Sequence, residues 1–181
     1  MLSDTEARLV LQQAELLVPA AEVQAAVARL AREINAAMSG MKPLVLPVMG
    51  GAAVFAGQLL PLLDFPLDFD YLHVSRYGMG TRGGELHWKV EPHEKVQGRA
   101  VLVLDDILDE GGTLAEVKRH LLELGAASFH CAVFAEKMHG RPKPIRADFV
   151  GLKLPDRFVF GFGMDVQGAW RNLPAVYAMK D

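Results

Sequence analysis

Short apolar runs alternating with amphipathic stretches mark this chain as α/β, with a mostly parallel sheet of about five strands, flanking helices, and ligand at the C-terminal strand ends. Three observations carry that expectation. Uncharged runs at Pro43–Val48, Ala100–Leu104 and Ser128–Ala135 are long enough for buried strands and too short for helices of their own. Helical stretches follow two of them, at Ala52–Leu60 and from Thr113 onward. The middle run ends in Asp105 and Asp106, then Asp109, Gly111 and Gly112, just ahead of its helix. Strand, glycine loop and helix together aim several backbone N–H groups at one anion, usually a phosphate.

Taken in order, Ser3 with Glu6 forms a capping box opening a first helix that is expected to end near Pro19. A second helix carries Val23, Val27, Leu30, Ile34 and Met38 on one face, with Gly40 past its end. Both read as core-packing helices. After the strand Pro43–Val48, Met49-Gly50-Gly51 is a tight turn into the helix Ala52–Leu60. Its glycines permit positive φ or close approach to a ligand, and a plain strand-to-helix turn fits equally well. Leu67–Val74 alternates as a strand. Tyr77–Gly84 is glycine-rich without apolar periodicity and reads as a mobile loop, with His87–Val90 returning as a strand. The helix from Thr113 is expected to bury Leu114, Val117, Leu121 and Leu124, and Gly125 stops it. Beyond Ser128–Ala135 and Glu136-Lys137, the prolines and basic residues of Met138–Ala147 mark a surface connection.

Composition narrows the function classes. A chain of 181 residues is one domain's worth, large enough for a real core. Charged residues make up 23% with a net charge of -3, so no basic surface points to nucleic acid. The single cysteine, Cys131, has no intrachain partner, which fits a reducing compartment and a cytoplasmic protein. The charged, amphipathic N-terminal residues do not resemble a signal peptide. Leu44–Leu63 is uncharged over about twenty residues, the length of a membrane span. Pro47, Gly50, Gly51, Gly57, Gln58 and Pro61 divide it better into strand, turn and helix, so no membrane is expected. The six histidines show no zinc-site spacing, and His87 and His93 follow no motif.

The acids sharpen the phosphate reading. Carboxylates beside a phosphate repel it unless a cation or sugar hydroxyls lie between them. A ligand with a 5′-phosphate, vicinal hydroxyls and a metal-bound pyrophosphate satisfies every group: the loop takes the phosphate, Asp105 and Asp106 the ribose hydroxyls, and Asp109 faces the base. A Walker loop is excluded because no lysine sits between the glycines and Thr113. The plainer alternative is a strand followed by an acid-rich helix cap.

VLVLDDILDEGGTL resembles the phosphoribosyl-pyrophosphate motif of type I phosphoribosyltransferases. DFVGLKLPDRFVFGFGMDVQGAWRNL resembles the C-terminal part of the hypoxanthine-guanine branch, and the match spans roughly residues 43 to 175. The resemblance implies one phosphoribosyltransferase domain over residues 1–181, with a small hood from about 1–20 and 148–181. It implies transfer of 5-phosphoribosyl from phosphoribosyl pyrophosphate to hypoxanthine or guanine, giving IMP or GMP and pyrophosphate, with Mg²⁺ and a homo-oligomer of two or four copies. Its roles carry over position by position. Asp105, Asp106, Asp109, Glu110, Gly111, Gly112 and Thr113 bind ribose and phosphate, and Asp109 exchanges a proton with the purine's imidazole nitrogen. Lys137 donates to the exocyclic oxygen, Phe158 stacks on the base, Val159 meets its edge through backbone groups, and Asp165 stands near base and metal. Asp105 and Asp106 share the metal with Asp165. Met49, Gly50 and Arg171 meet pyrophosphate, and a lid carries Ser75, Arg76 and Tyr77 into the site.

Four positions depart from the family pattern. Met49 stands where a basic residue is usual, Asp105 where Glu is usual, and Glu110 where Ser or Thr donates to phosphate. The lid's Ser-Tyr pair is Arg76-Tyr77 here, with Ser75 one place earlier. Three alternatives stand beside this reading. One is a nucleic-acid-binding regulator of the same fold, which would need a basic face. Another is a non-catalytic nucleotide-binding protein, and the third a xanthine- or pyrimidine-specific relative.

Overall fold

The computed structural model describes residues 1–76 and 86–180. Ser3 and Glu6 cap the first helix, α1 (Asp4–Gln13), reciprocally: Ser3 N donates to Glu6 Oε2 at 2.7 Å and Glu6 N to Ser3 Oγ at 3.3 Å. The helix does not continue to Pro19. Ala14 is extended, and Glu15–Val18 forms strand β1. Pairing with a distant strand near the C-terminus overrides local helix preference there, a contact invisible to local periodicity. Pro19 then caps α2 (Ala20–Met38), which buries the five apolar residues expected on its face.

Strand β2 (Leu44–Met49) leads into α3 (Ala52–Leu59), which tightens into a 3₁₀ turn, Leu60–Leu62, at Pro61. The strand expected over Leu67–Val74 is two pieces, β3 (Asp68–Phe69) and β4 (Leu72–Arg76). The break has a cause. Asp70 is buried and accepts from the N–H groups of Tyr71, His93 and Glu94, so its side chain replaces ladder bonds. β5 (Leu86–Val90) follows. β6 (Ala100–Leu108) runs past Leu104 through the acids, since backbone pairing along its length is indifferent to side-chain charge. α4 (Gly112–Glu123) buries Leu114, Val117 and Leu121, but Leu124 lies at the cap and is 41% exposed, contrary to expectation. β7 (Ser128–Met138), β8 (Phe149–Pro155), β9 (Val159–Phe160) and β10 (Val176–Ala178) complete the described elements.

The main sheet has the order β5-β4-β2-β6-β7-β8, with β3 also paired to β2. From β4 to β8 all five strands are parallel, which is the expected core; β3 and antiparallel β5 bring the sheet to seven. Alternate residues of β6 serve the two faces. Leu102 and Leu104 pack with α2 and α3, while Val101 and Val103 pack with α4. Each fully buried Leu or Val contributes roughly 1.5–3 kcal/mol, which clamps the β6–α4 junction from both sides. A second, antiparallel sheet has the order β1-β10-β9. Among the described residues no helix is long and apolar enough to cross a membrane; Leu44–Leu63 is strand, turn and short helix.

Candidate functional site

β4 and β6 flank β2 on opposite sides, so successive connections leave the sheet in opposite directions and open a crevice at the C-terminal strand ends. A cleft of about 530 Å³ lies there. Met49, Gly50, Asp105, Asp106, Asp109, Glu110, Gly111, Gly112, Thr113, Asp165 and Arg171 all line it, so most residues singled out in the sequence meet in one place.

The turn after β2 is shaped by close approach. The Met49–Gly50 peptide is cis. A β-carbon at Gly51 would lie 2.0 Å from Asp106 Oδ2, and one at Gly163 (φ +100°) would lie 2.2 Å from the Gly51 carbonyl oxygen. Three chain segments therefore meet closely: a side chain at Gly163 would clash with backbone, and one at Gly51 would force the Asp106 carboxylate or the turn to shift. Gly50 differs: nothing lies within 4 Å of its missing β-carbon. No protein neighbour requires glycine at Gly50.

The acids at the end of β6 fall into two environments. Asp105 is buried and accepts from Asp106 N at 3.0 Å; Asp106 accepts from Ile107 N at 2.8 Å. Burial, and then the neighbouring Asp106 carboxylate, push the Asp105 carboxyl well above its usual range. Burial also raises Asp106, outweighing its hydrogen bonds and Arg171. Asp109, in the loop, is 43% exposed and holds the 13%-exposed Lys137 at 2.7 Å.

Gly111, in the left-handed region at φ +81°, turns the chain into α4 without a side-chain cap. First-turn N–H groups of a helix have no intrahelical acceptor, and the helix dipole adds positive potential there. The loop is thus built to receive an anion. Glu110, the residue that would oppose one, is paired through Oε1 with Arg141 Nη2 at 3.0 Å.

Opposite, Arg171 is already engaged. Its Nη2 lies 2.5 Å from Asp165 Oδ1, its Nη1 donates to the Gly163 carbonyl at 2.6 Å, and Asp106 Oδ2 is 4.0 Å away. Asp165 also accepts from Gly168 N at 2.6 Å. Lys137, Phe158 and Val159 do not line this cleft. Lys137 reaches it through Asp109, Phe158 is 53% exposed ahead of β9, and Val159 is buried in that strand. Ser75 and Arg76 end β4, paired with His87 and Leu86; Tyr77 lies outside the described residues, with the rest of the proposed lid.

Among the described residues, no three His, Cys, Asp or Glu side chains converge to hold a metal. Asp105 and Asp106 are two adjacent carboxylates, and a divalent cation of the Mg²⁺ type commonly takes one or two protein carboxylates plus oxygens of its ligand. That donor set fits. Asp165, across the cleft, is paired with Arg171.

Sequence reasoning passed over His73, Gly163, Arg141 and Lys143. His73 lines the cleft from the start of β4, paired in register with Met49 at the end of β2. Gly163 and the two basic residues depend on contacts across the fold and carry no local signal.

Known proteins resemble this chain closely. The phosphoribosyl transferase domain family matches residues 16–167. The hypoxanthine-guanine phosphoribosyltransferase of Bacillus subtilis is 34% identical over 92% of this chain and 93% of its own length. The Aquifex aeolicus protein of that name is 33% identical, covering 92% and 95%. The bifunctional protein TilS/HprT of Listeria innocua is 36% identical, and there the chain spans only 26% of the relative's length. A hypoxanthine phosphoribosyltransferase structure from Staphylococcus aureus superposes with a TM-score of 0.87 at 28% identity, covering 95% of each chain. Motif, switch-point cleft and these likenesses agree: the chain belongs to the phosphoribosyltransferase family, on its hypoxanthine-guanine side.

Proposed function

We propose that this protein transfers the 5-phosphoribosyl group of phosphoribosyl pyrophosphate to hypoxanthine or guanine, giving IMP or GMP and pyrophosphate in purine salvage. The observation that carries the reading is the Asp109–Lys137 pair, standing beside a helix N-terminus and two strand-end acids. Phosphate goes to the Gly111–Thr113 turn, where backbone N–H groups suit an anion. Asp105 and Asp106 accept from the ribose hydroxyls. Pyrophosphate lies against the open backbone at Met49 and Gly50 and is met by Arg171. Asp105 and Asp106, with Asp165 nearby, would hold Mg²⁺ together with ligand oxygens, and the bound ion would offer positive charge to the departing pyrophosphate.

The chain's own groups select and handle the base. The Lys137 ammonium has three N–H donors, so it can keep Asp109 and still donate to a purine oxygen. Adenine presents an amino group there, two donors face each other, and it is rejected. Asp109, being partly exposed, can exchange a proton with the imidazole nitrogen as that nitrogen bonds to the anomeric carbon. The exposed ring of Phe158 offers a stacking face, and the β1-β10-β9 sheet supports it as the hood over the base. A lid over Ser75, Arg76 and Tyr77 would keep water from the activated sugar. The same family reading favours two or four copies, and the buried free Cys131 a cytoplasmic setting.

The test is the ultraviolet change on mixing protein, Mg²⁺ and phosphoribosyl pyrophosphate with each base in turn. Hypoxanthine or guanine should react at least about a hundredfold faster than adenine, because a mispaired buried polar edge costs a few kcal/mol. Comparable turnover of adenine would overturn the assignment.

A further inference from the structure

Lys143 comes from the connection between β7 and β8, where sequence suggests only a solvated basic surface. Its side chain is instead 10% exposed. The ammonium donates to the Lys137 carbonyl at 2.7 Å, to the Leu108 carbonyl at 3.0 Å and to Glu136 Oε1 at 3.2 Å, which uses its three N–H donors. Those partners are not scattered. Leu108 is the last residue of β6 and is paired in register with Glu136 of β7. Asp109 follows Leu108 directly, and Lys137 follows Glu136. One ammonium therefore fastens the two strand ends just where the Asp109–Lys137 pair emerges.

We propose that Lys143 is a positioning residue for the purine half of the site. It fixes the backbone on which Asp109 and Lys137 stand, and so sets the spacing of the proton-exchanging carboxylate and the oxygen-reading ammonium. The inference rests on the proposed function for its catalytic consequence. Its structural content, that the Asp109 loop and the end of β7 are held by this contact, does not.

Two physical points separate this from general stabilisation. The ammonium makes no hydrogen bond to Asp105, Asp106 or Gly111–Thr113 and meets the phosphate turn only indirectly, through Leu108 beside Gly111, so its loss should act on base use more than on the ribose-phosphate half. Lysine is also specific here: three divergent acceptors suit a compact ammonium and not the planar fork of arginine.

The experiment uses Lys143→Met, which keeps an unbranched stem without donors, and Lys143→Arg. For Lys143→Met, kcat/KM for hypoxanthine should fall about tenfold or more, while calorimetric affinity for Mg²⁺–phosphoribosyl pyrophosphate stays within about twofold. Amide exchange should quicken at residues 108–110 and 136–139 and not in β2 or α2. Lys143→Arg should show the same pattern more weakly, and carries the comparison if Lys143→Met does not fold. Unchanged hypoxanthine kinetics, or equal losses in base use and sugar-phosphate affinity with faster exchange throughout the sheet, would overturn the proposal. If the wild type turns over no base, the functional reading fails, and the local exchange pattern still decides whether Lys143 holds the two strand ends.

Discussion

Asp105 and Asp106 lie at the end of β6, and Asp109 stands just beyond it in the loop, yet the two settings call for different chemistry. The strand-end acids are pressed against the sheet and the Gly51 turn, and burial raises their affinity for protons. Such a pair is suited to bind a cation or hydroxyl donors in place of a proton. The loop acid is open to solvent on one side and held by Lys137 on the other. In the proposed reaction this opening lets it exchange a proton with a bound purine. The difference in setting follows from backbone position: Asp105 and Asp106 lie within β6, ahead of its last residue Leu108, and Asp109 is the first residue beyond it.

The sharpest way to break this contrast is to remove one charge at a time. Asp109→Asn keeps shape and hydrogen-bonding capacity but removes the base, so turnover should fall by about 10²–10⁴-fold with little change in substrate affinity. Asp106→Asn should do the reverse, weakening phosphoribosyl-pyrophosphate binding first. Steady-state kinetics with calorimetry on both variants decides it. Near-normal turnover in Asp109→Asn would leave that acid as a partner of Lys137 only and place the catalytic base elsewhere.

Gly51→Ala tests the strand-end pair from outside. Its new methyl group would meet Asp106 at 2.0 Å and displace the carboxylate or the turn. Sugar-phosphate affinity should drop by about tenfold or more, corresponding to 1.4 kcal/mol or above. Retained affinity by calorimetry would show that Asp106 does not need its present position.

Asp70 sharpens the comparison because it is buried as well. Burial raises its carboxyl, but the N–H groups of Glu94, Tyr71 and His93 outweigh that and leave it below the usual range. Its folded value is depressed, so its stabilisation is present above the unfolded value of about 3.9 and is lost as pH falls through the folded value. Asp70→Asn should therefore be less stable than wild type near pH 7, by about 1–3 kcal/mol, with the gap narrowing below about pH 4. Denaturant unfolding at both pH values measures this, and a pH-independent gap would refute it. The smallest effect belongs to Glu110 and Arg141, both about half exposed. Arg141→Ala should change stability by no more than about 1 kcal/mol in the same unfolding assay; a larger loss would mean the pair organises the loop.

How much was legible follows from contact distance along the chain. The β6–loop–α4 unit is contiguous, so its strand, acids, glycines and helix could be read together, and the parallel core followed from the alternation of runs. The β1 strand was not legible, because Glu15–Val18 is extended only by virtue of β10. Nor was the break at Asp70, which depends on backbone donors from beyond β5. In the site, Asp165 and Arg171 were found by family resemblance, and the two residues pair with each other. Lys143 looked like surface because nothing local shows that its ammonium folds back onto two strand ends.

The most direct measurement is product identity. Protein, Mg²⁺, phosphoribosyl pyrophosphate and hypoxanthine are incubated, and the products are separated and weighed by mass spectrometry. The predicted result is IMP and pyrophosphate in equal amounts, formed only when the base is present. Release of ribose 5-phosphate with no base incorporated, or no consumption of the sugar pyrophosphate at all, would contradict it.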